Sequence, residues 1–334
     1  MTVEEQIREN LDGVLVPGVK RSITGLNLVR KVTVSDCKAK ITLASTALNN
    51  DAQDWITNKV KETLNKLTQV NEVEVEFVET KATELNDIHH VIAVMSGKGG
   101  VGKSLVASLI GLSLARRGRE VGILDADITG PSIPRIFGLT TRPTGSETGI
   151  LPVLSRAGIE IMSINLLLPN EDDAVIWRGP LIGKTITQFW EEVLWGKLDY
   201  LIVDLPPGTA DASLTVMQTL PITGIIIVST PQDLVEMIVR KAVNMAKHMG
   251  KSVLGVVENM SYFILPDTGK RVELFGNSKG QEMARAIGVP LLAQFPIDPE
   301  LARLCDEGSI ERYDSEALNS FAETFLQTMP VKAR

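Results

Sequence analysis

Residues 91–118 read VIAVMSGKGGVGKSLVASLIGLSLARRG and decide the fold of the larger part of the chain. An apolar β-type run leads into a glycine-rich loop, and an apolar helical run follows. The loop fits G-x-x-x-x-G-K-[ST], and its strand–loop–helix setting is what a phosphate-binding loop requires. Its glycines let several backbone N–H groups face inward, beside the positive end of the following helix. We expect the loop to contact a nucleotide through Gly97, Lys98, Gly99, Gly100, Val101, Gly102, Lys103 and Ser104.

The last two residues of the loop have distinct expected roles. Lys103 can reach the β- and γ-phosphates of ATP, and the Ser104 hydroxyl can hold Mg²⁺. The loop also contains a second lysine, Lys98, which the phosphate-loop pattern does not require.

Acidic residues end two other apolar runs. LIVDLPPGTAD ends a strand at Asp204, and LDADITGPS places Asp125 and Asp127 at another strand end. We predict that Asp125 and Asp204 hold Mg²⁺ through water. Two carboxylates near a Mg·ATP site can also orient an attacking water. Gly208, four residues after Asp204, is predicted to offer its N–H to the γ-phosphate and so to sense hydrolysis.

Apolar runs alternate with helical stretches beyond residue 89, which indicates parallel βαβ units in a sheet covered on both faces. A turn-rich stretch at 141–165 is predicted to insert a β-hairpin. The fold class is therefore α/β, a mostly parallel sheet flanked by helices. The predicted strands are 90–96, 120–127, 198–205, 224–230, 253–259 and 290–295.

The first 80 residues have the pattern of a small α+β domain. Strands are predicted at 27–34 and 39–45, joined as a hairpin, and another at 72–78. Residues 50–67 are predicted as an amphipathic helix, with Trp55, Ile56, Val60, Leu64 and Leu67 near one face. The predicted domains are 1–80, a linker at 81–88, and 89–334.

Composition limits the function classes. The 334 residues are 44% hydrophobic and carry a formal net charge of −7. This charge disfavours nucleic acid and anionic membranes as partners. The N-terminus MTVEEQIREN lacks the apolar core of a secretory signal, and two cysteines without a CxxC suit a reducing compartment. We therefore predict a cytoplasmic protein.

The order of motifs resembles a known family. GKGGVGKS, with its additional lysine, is similar to the deviant Walker A loop of the MinD/ParA/nitrogenase-iron-protein class of P-loop ATPases. DADITGPSIPRIFG, WRGP (177–180), WGKLDYLIVDLPPGTAD and ENMSYF (258–263) resemble the Mrp/ApbC family of iron–sulfur cluster carrier ATPases. The first 80 residues resemble the small domain that often precedes this ATPase and that also occurs alone in iron–sulfur assembly factors.

The resemblance implies several roles. It implies a homodimer in which Lys98 reaches across a two-fold interface to the partner subunit's nucleotide, as an arginine finger does. It also implies Asp127 as the residue that positions the attacking water, and Asn259 as an adenine contact. The catalytic residues would be Lys98, Lys103 and Asp127, with ATP and Mg²⁺ as cofactors. Apo iron–sulfur client proteins or assembly factors would be the partners.

The part of the family pattern that ligates the iron–sulfur cluster is missing. The family holds its cluster between two subunits with a CxxC pair from each, just after ENMSYF. Here Leu265 and Thr268 occupy the two cysteine positions. Only Cys37 and Cys305 remain, and their spacing does not bring them together. A cluster therefore has no identified ligands.

Three interpretations stay open. In the first, the chain carries an iron–sulfur cluster through other ligands. In the second, it serves cluster assembly or another maturation path as an ATP-gated partner without holding a cluster. In the third, it no longer takes part in iron–sulfur chemistry. A different class of function is a MinD/ParA-type ATP-dependent dimerisation switch on a membrane, DNA or a protein. The C-terminal SEALNSFAETFLQTMPVKAR is a weak membrane anchor because of its acidic residues and Pro330. A nucleotide-binding scaffold without catalysis is disfavoured by the intact Asp127, Asp204 and Lys103.

Overall fold

The chain forms two compact units in a computed structural model. The structure describes residues 2–19, 21–128, 130–168, 179–208, 211–232 and 235–329. The first unit comprises Met1–His89, Arg142–Leu154 and Gln188–Leu198, and the second unit comprises His90–Thr141, Ser155–Thr187 and Asp199–Arg334.

The elements of the described residues have the following bounds. The helices are α1 Val3–Leu11, α2 Asn50–Leu64, α3 Ala82–Leu85, α4 Lys103–Ala115, α5 Ile133–Ile136, α6 Gly179–Glu192, α7 Asp211–Thr219, α8 Val235–His248, α9 Gly280–Ile287, α10 Pro299–Asp306 and α11 Glu316–Thr328. The strands are β1 Val29–Ser35, β2 Lys38–Ala44, β3 Glu72–Val78, β4 Asp87–Ser96, β5 Val121–Asp125, β6 Thr144–Ser146, β7 Gly149–Leu151, β8 Val153–Leu154, β9 Glu160–Ser163, β10 Lys197–Asp204, β11 Gly224–Ser229, β12 Val253–Glu258, β13 Phe263–Ile264, β14 Arg271–Val272 and β15 Leu291–Gln294. Short 3₁₀ turns lie at 164–166 and 310–312.

A three-stranded sheet in the order β1-β2-β3 forms the first unit together with α1 and α2. The β1–β2 pair is antiparallel, as predicted, and β2–β3 is parallel. Asp36 and Cys37 make the tight turn between β1 and β2, with φ angles of 49° and 59°. Two successive residues in the left-handed region match the type I′ turn that two-residue hairpins prefer.

Helix α2 buries a narrower stripe than its sequence predicts. Ile56, Val60 and Leu64 are fully buried in the core of the first unit, but Trp55 is 43% exposed. The prediction that Trp55 lies on the buried face was therefore wrong. Successive helical residues are rotated by about 100°, so the neighbour of a buried position can face solvent.

The first unit also contains two later stretches of the chain. The predicted hairpin within 141–165 is present as the antiparallel pair β6–β7. Leu151 and Leu194 lie in the same hydrophobic core as the N-terminal elements. Asn86 accepts hydrogen bonds from the backbone N–H groups of Trp195 and Gly196, at 2.8 and 3.0 Å. Residues 81–88, predicted as a linker, contain α3 and the first residues of β4.

The second unit is built on a sheet with the strand order β15-β12-β11-β4-β10-β5-β9. The pairs β5–β9, β5–β10, β4–β11, β11–β12 and β12–β15 are all parallel. Helices α4, α8, α9 and α11 pack against its strands. This arrangement confirms the predicted mostly parallel sheet flanked by helices.

The register of the sheet positions the predicted site residues. Asp204 at the end of β10 lies opposite Asp125 at the end of β5, and Ser96 at the end of β4 lies opposite Val228. The carboxyl ends of parallel strands share one edge, where α/β proteins bind their ligands. Across the described ranges, no helix has both the length and the apolar character needed to cross a membrane.

Candidate nucleotide site

The phosphate loop begins directly after β4, and its last two residues, Lys103 and Ser104, are the first two of α4. Gly100 and Gly102 both have φ angles of 81°, in the left-handed region that favours glycine. A Cβ on Gly102 would lie 2.2 Å from Nδ2 of Asn259, so a larger residue would displace this amide from the Val101 carbonyl. Gly102 therefore meets two independent requirements, one of backbone conformation and one of close packing.

A cavity of about 230 Å³ lies against this loop. Its lining combines loop glycines with the groups expected to handle phosphate and metal. The lining residues are Ser96, Gly99, Gly100, Gly102, Lys103, Ser104, Asp127 and Pro207. The structure thus brings the predicted phosphate loop together with Asp127 from the β5 end.

Lys103 is turned toward the carboxylates at the sheet edge. Its Nζ lies 2.6 Å from Oδ1 of Asp204 and 3.7 Å from Oδ2 of Asp127. It also lies 3.4 Å from the Ser104 hydroxyl. The Lys103 side chain is only 6% exposed and that of Asp204 is fully buried, so their charges are poorly screened by water.

Asp125 is held by donors from its own surroundings. Its two oxygens accept hydrogen bonds from the backbone N–H of Asp127 at 3.2 Å, the backbone N–H of Ile133 at 3.3 Å and the Ser163 hydroxyl at 3.2 Å. Burial, together with the nearby charge of Asp204, raises the pKa of Asp125 to about 8. Burial likewise raises the pKa of Asp204, although the ammonium of Lys103 opposes this effect.

Two predicted nucleotide contacts have other partners in this structure. The Gly208 N–H donates to the Ser96 carbonyl at 3.0 Å, so it reaches a γ-phosphate only if that bond is exchanged. The Asn259 side chain is 2% exposed and donates from Nδ2 to the Val101 carbonyl at 2.9 Å. Asn259 therefore lies directly on the phosphate loop, and its role as an adenine contact stays a prediction.

Lys98 is not among the residues that line the cavity at its own loop. Its Nζ donates to Oε1 of Gln232 at 2.6 Å, and its carbonyl accepts from the Ser96 hydroxyl at 2.9 Å. The sequence reasoning did not identify Gln232, because a single glutamine after a strand carries no pattern. The geometry shows that Lys98 is not part of the Lys103 cluster within one chain.

The segment where the family carries its cysteines is a small hairpin. Strands β13 and β14 pair antiparallel, and the Leu265 carbonyl accepts from the Gly269 N–H at 2.8 Å. Leu265 is 36% exposed on this hairpin. Neither Leu265 nor Thr268 carries a thiol, which is the ligand that iron–sulfur clusters prefer.

The two cysteines are separate and free. Cys37 is exposed in the turn of the first unit, whereas Cys305 is half-buried in α10 of the second unit. Burial and the nearby Asp306 raise the pKa of Cys305 to about 11. A thiol that stays protonated at neutral pH is a poor metal ligand. Among the residues that the structure describes, no group of three or more His, Cys, Asp or Glu side chains is arranged to hold a metal ion.

Comparisons with known proteins agree with this geometry. An iron–sulfur cluster carrier protein of Clostridium perfringens is 46% identical over 242 residues, covering 70% of this chain and 85% of that protein. One from Deinococcus radiodurans is 36% identical over 327 residues, covering 95% and 93%. Residues 4–77 match the family model described as iron-sulfur cluster assembly protein.

Solved structures agree as well. A nucleotide-binding protein from Archaeoglobus fulgidus, in complex with ADP, is 47% identical with a TM-score of 0.64, covering 70% of this chain and 92% of that chain. The MinC:MinD cell division complex of Aquifex aeolicus, at 19% identity and a TM-score of 0.51, covers 73% of this chain and 99% of that chain and shows the shared fold alone. Residues 87–329 match the family model described as NUBPL iron-transfer P-loop NTPase. The chain therefore belongs to the NUBPL iron-transfer P-loop NTPase family.

Proposed function

We propose that this protein is a Mg²⁺-dependent, dimer-activated ATPase that serves iron–sulfur cluster assembly. The observation that carries the ATPase half is the buried group of charged side chains beside the phosphate-loop cavity. There Lys103 contacts Asp204 at 2.6 Å and Asp127 at 3.7 Å, next to the buried Asp125. A catalytic lysine, a hydroxyl and carboxylates beside a phosphate loop are the groups that phosphoryl transfer needs.

The residues present fit a magnesium ion. Oδ2 of Asp204 is buried and has no hydrogen-bond partner among the described residues, so one hard oxygen is left for a ligand. Asp125 and Asp127 place two further carboxyl groups near Asp204 and Lys103. Mg²⁺ keeps several waters and binds through one or two carboxylates plus substrate phosphates. Ser104, and Asp125 and Asp204 through water, would hold the ion, which would neutralise charge on the phosphates.

The remaining groups of the chain orient the substrate and water. ATP binding requires Lys103 to exchange its contact with Asp204 for one with the β- and γ-phosphates. Backbone N–H groups of the loop and the N-terminus of α4 would hold the phosphate oxygens. Asp127, which lines the same cavity, would accept a hydrogen bond from an O–H group of the attacking water and so align it for attack.

A second subunit would complete the site. Lys98 is held by Gln232 of its own chain and does not contact the Lys103 cluster, which supports a role outside its own site. Delivered across a two-fold axis, its ammonium would stabilise the charge that develops on the transferring phosphoryl group. Hydrolysis would then depend on dimerisation.

The iron–sulfur half of the proposal is supported by family membership and by the relatives' names. Leu265 and Thr268 leave the hairpin without thiolates that could ligate iron. In this proposal the iron–sulfur cluster is therefore the cargo, or the product of a client protein's maturation. The partners would be apo iron–sulfur client proteins or assembly factors, and the cytoplasm is the predicted location.

The ATPase half is tested by phosphate release from the purified full chain. We expect activity that requires Mg²⁺, is lost in Lys103→Ala, and rises per subunit as the protein is concentrated. Glu62→Gln, an exposed change in α2, is the matched control and should retain full activity. Equal specific activity at all concentrations, with no dimer in sedimentation, would contradict the dimeric mechanism.

The iron–sulfur half is tested by anaerobic reconstitution with iron and sulfide. We expect little or weakly held iron, and the same low amount in a Cys37→Ser, Cys305→Ser double variant. ATP should nevertheless speed cluster transfer to an apo iron–sulfur protein when a cluster donor is added. A robust four-iron cluster per dimer would show that other ligands exist. ATP-dependent sedimentation with liposomes or DNA, without any effect on transfer, would favour the MinD/ParA-type switch instead.

A further inference from the structure

Glu258, the last residue of β12, is a buried carboxylate that accepts four hydrogen bonds. The donors are the Ser261 hydroxyl at 2.6 Å, the Ser278 hydroxyl at 2.6 Å, the Lys279 backbone N–H at 3.0 Å and the Gln294 amide at 2.9 Å. Bonds to an ionised acceptor are stronger than those between neutral groups. Glu258 therefore fixes its four neighbours firmly relative to one another.

These donors enclose one particular stretch of chain. Ser261 precedes and Ser278 follows residues 262–277, here called the hairpin segment, which contains β13 and β14. The hairpin segment includes Leu265 and Thr268 and exposes large apolar side chains, such as Ile264 and Leu274. Glu258 thus joins both ends of the hairpin segment at its base.

The residue after Glu258 contacts the phosphate loop. Asn259 donates from Nδ2 to the Val101 carbonyl at 2.9 Å, and its backbone N–H donates to Ser229 at 2.8 Å. Met260 then turns the chain with a φ of 55°. Glu258 and the Ser261 hydroxyl are hydrogen-bonded to each other across this turn, so the carboxylate helps to fix the turn that carries Asn259.

We propose that Glu258 is a positioning residue that couples the nucleotide site to the hairpin segment. It acts through Asn259 on the phosphate loop and through Ser261 and Ser278 on the base of the segment. This inference rests on the proposed nucleotide binding at the loop. Nucleotide that rearranges the loop around Val101 changes the Asn259 contact, and the rigid turn carries the change to the hairpin segment. Contiguous hydrogen bonds of this kind can carry coupling between sites.

A purely structural role for Glu258 gives different expectations. A buried carboxylate that only stabilises the fold would, when replaced, lower stability without changing how the hairpin segment responds to nucleotide. A positioning residue changes that response. The test therefore measures the response itself rather than activity alone.

The experiment uses the full chain and hydrogen exchange of peptides that cover residues 262–277, with and without Mg·ADP. Affinity for a fluorescent ATP analogue is measured in parallel. In the wild-type protein, nucleotide should slow exchange in the hairpin segment. Glu258→Gln should bind nucleotide about tenfold more weakly and lose this slowing, because its amide places two N–H groups among donors. Glu282→Gln, an exposed change of the same kind in α9, is the matched control and should behave like the wild type.

A second variant keeps the proposal testable if Glu258→Gln does not fold. Ser278→Ala removes one bond to the base of the segment and leaves Glu258 and Asn259 in place. It should reduce the hairpin response while losing less nucleotide affinity than Glu258→Gln. A wild-type response in either folded variant, or no response in a wild-type protein that binds nucleotide, would overturn the inference. A wild-type protein that binds no nucleotide would instead overturn the proposed function.

Discussion

Replacing Asp204 by Asn should have opposite effects on ATP binding without Mg²⁺ and on turnover with it. In the structure Lys103 is held by Asp204 at 2.6 Å, with both side chains buried. ATP must draw Lys103 away from this partner to use it on the phosphates. Asp204→Asn removes the charge that retains Lys103, and it also removes a carboxylate that repels phosphate.

The size of the effect follows from the bond that is weakened. A hydrogen bond between charged groups contributes about 1.5–3 kcal/mol net. Since about 1.4 kcal/mol corresponds to a tenfold change in an equilibrium constant, ATP should bind the variant about 10- to 100-fold more tightly in EDTA. With Mg²⁺ present, turnover should fall by about 10- to 100-fold, the usual cost of losing a group that orients a metal.

The assay is a titration with a fluorescent ATP analogue at pH 8, in EDTA and in Mg²⁺, together with phosphate release. Asp125→Asn is the control, because Asp125 accepts from backbone N–H groups and Ser163 and not from Lys103. It should change ATP affinity in EDTA much less than Asp204→Asn does. Unchanged or weaker binding by Asp204→Asn in EDTA would refute the reasoning that Asp204 restrains Lys103.

Three further predictions concern the partner subunit, the loop and pH. Mixing the inactive variants Lys98→Ala and Lys103→Ala should restore about one quarter of wild-type ATPase activity. Half of the randomly paired dimers contain one of each variant, and each of these holds one complete site out of two. No recovery after verified exchange of subunits would indicate that Lys98 acts in the site of its own chain. Gly102→Ala should weaken nucleotide binding by at least about tenfold, because its Cβ would meet Asn259 at 2.2 Å on top of the left-handed strain, and calorimetry can check it. Burial raises the pKa of Glu258, but hydrogen bonds from Ser261, Ser278, Gln294 and Lys279 outweigh this, so the net pKa lies below its ordinary value of 4.5. Its ionised form therefore stabilises the fold above about pH 4.5, and this contribution is lost as the pH falls through the lowered pKa. The difference in urea midpoint between wild type and Glu258→Gln should shrink below pH 4.5, and a difference independent of pH would contradict this.

Local pattern predicted the main elements of the fold well. The apolar runs predicted at 90–96, 198–205, 224–230 and 253–259 are β4, β10, β11 and β12 to within a few residues. Such runs are informative because a parallel strand covered on both faces has to be apolar throughout. The exposure of Trp55 was missed, because two adjacent helix positions both look apolar and only packing selects between them.

The site was predicted in part for a related reason. Asp125 and Asp204 end apolar strands, and that signal predicted both as magnesium ligands through water. The structure adds that they lie opposite each other in the β5–β10 register. Glu258 ends β12 in the same way, so the same signal was present and was not used. Gln232 had no such signal, and its contact with Lys98 depends on where the chain runs after β11.

The sequence by itself determined the phosphate loop, the alternating strands and helices, and the missing CxxC, because each depends on residue types at short spacing. Only the tertiary structure decided that Lys103 lies on Asp204, that Asn259 lies on the loop, and that residues 142–154 and 188–198 join the first unit. These contacts join residues about 100 or more positions apart in most cases. Such contacts form when whole elements pack, and packing depends on the shape and burial of all the surfaces together rather than on any short stretch of sequence.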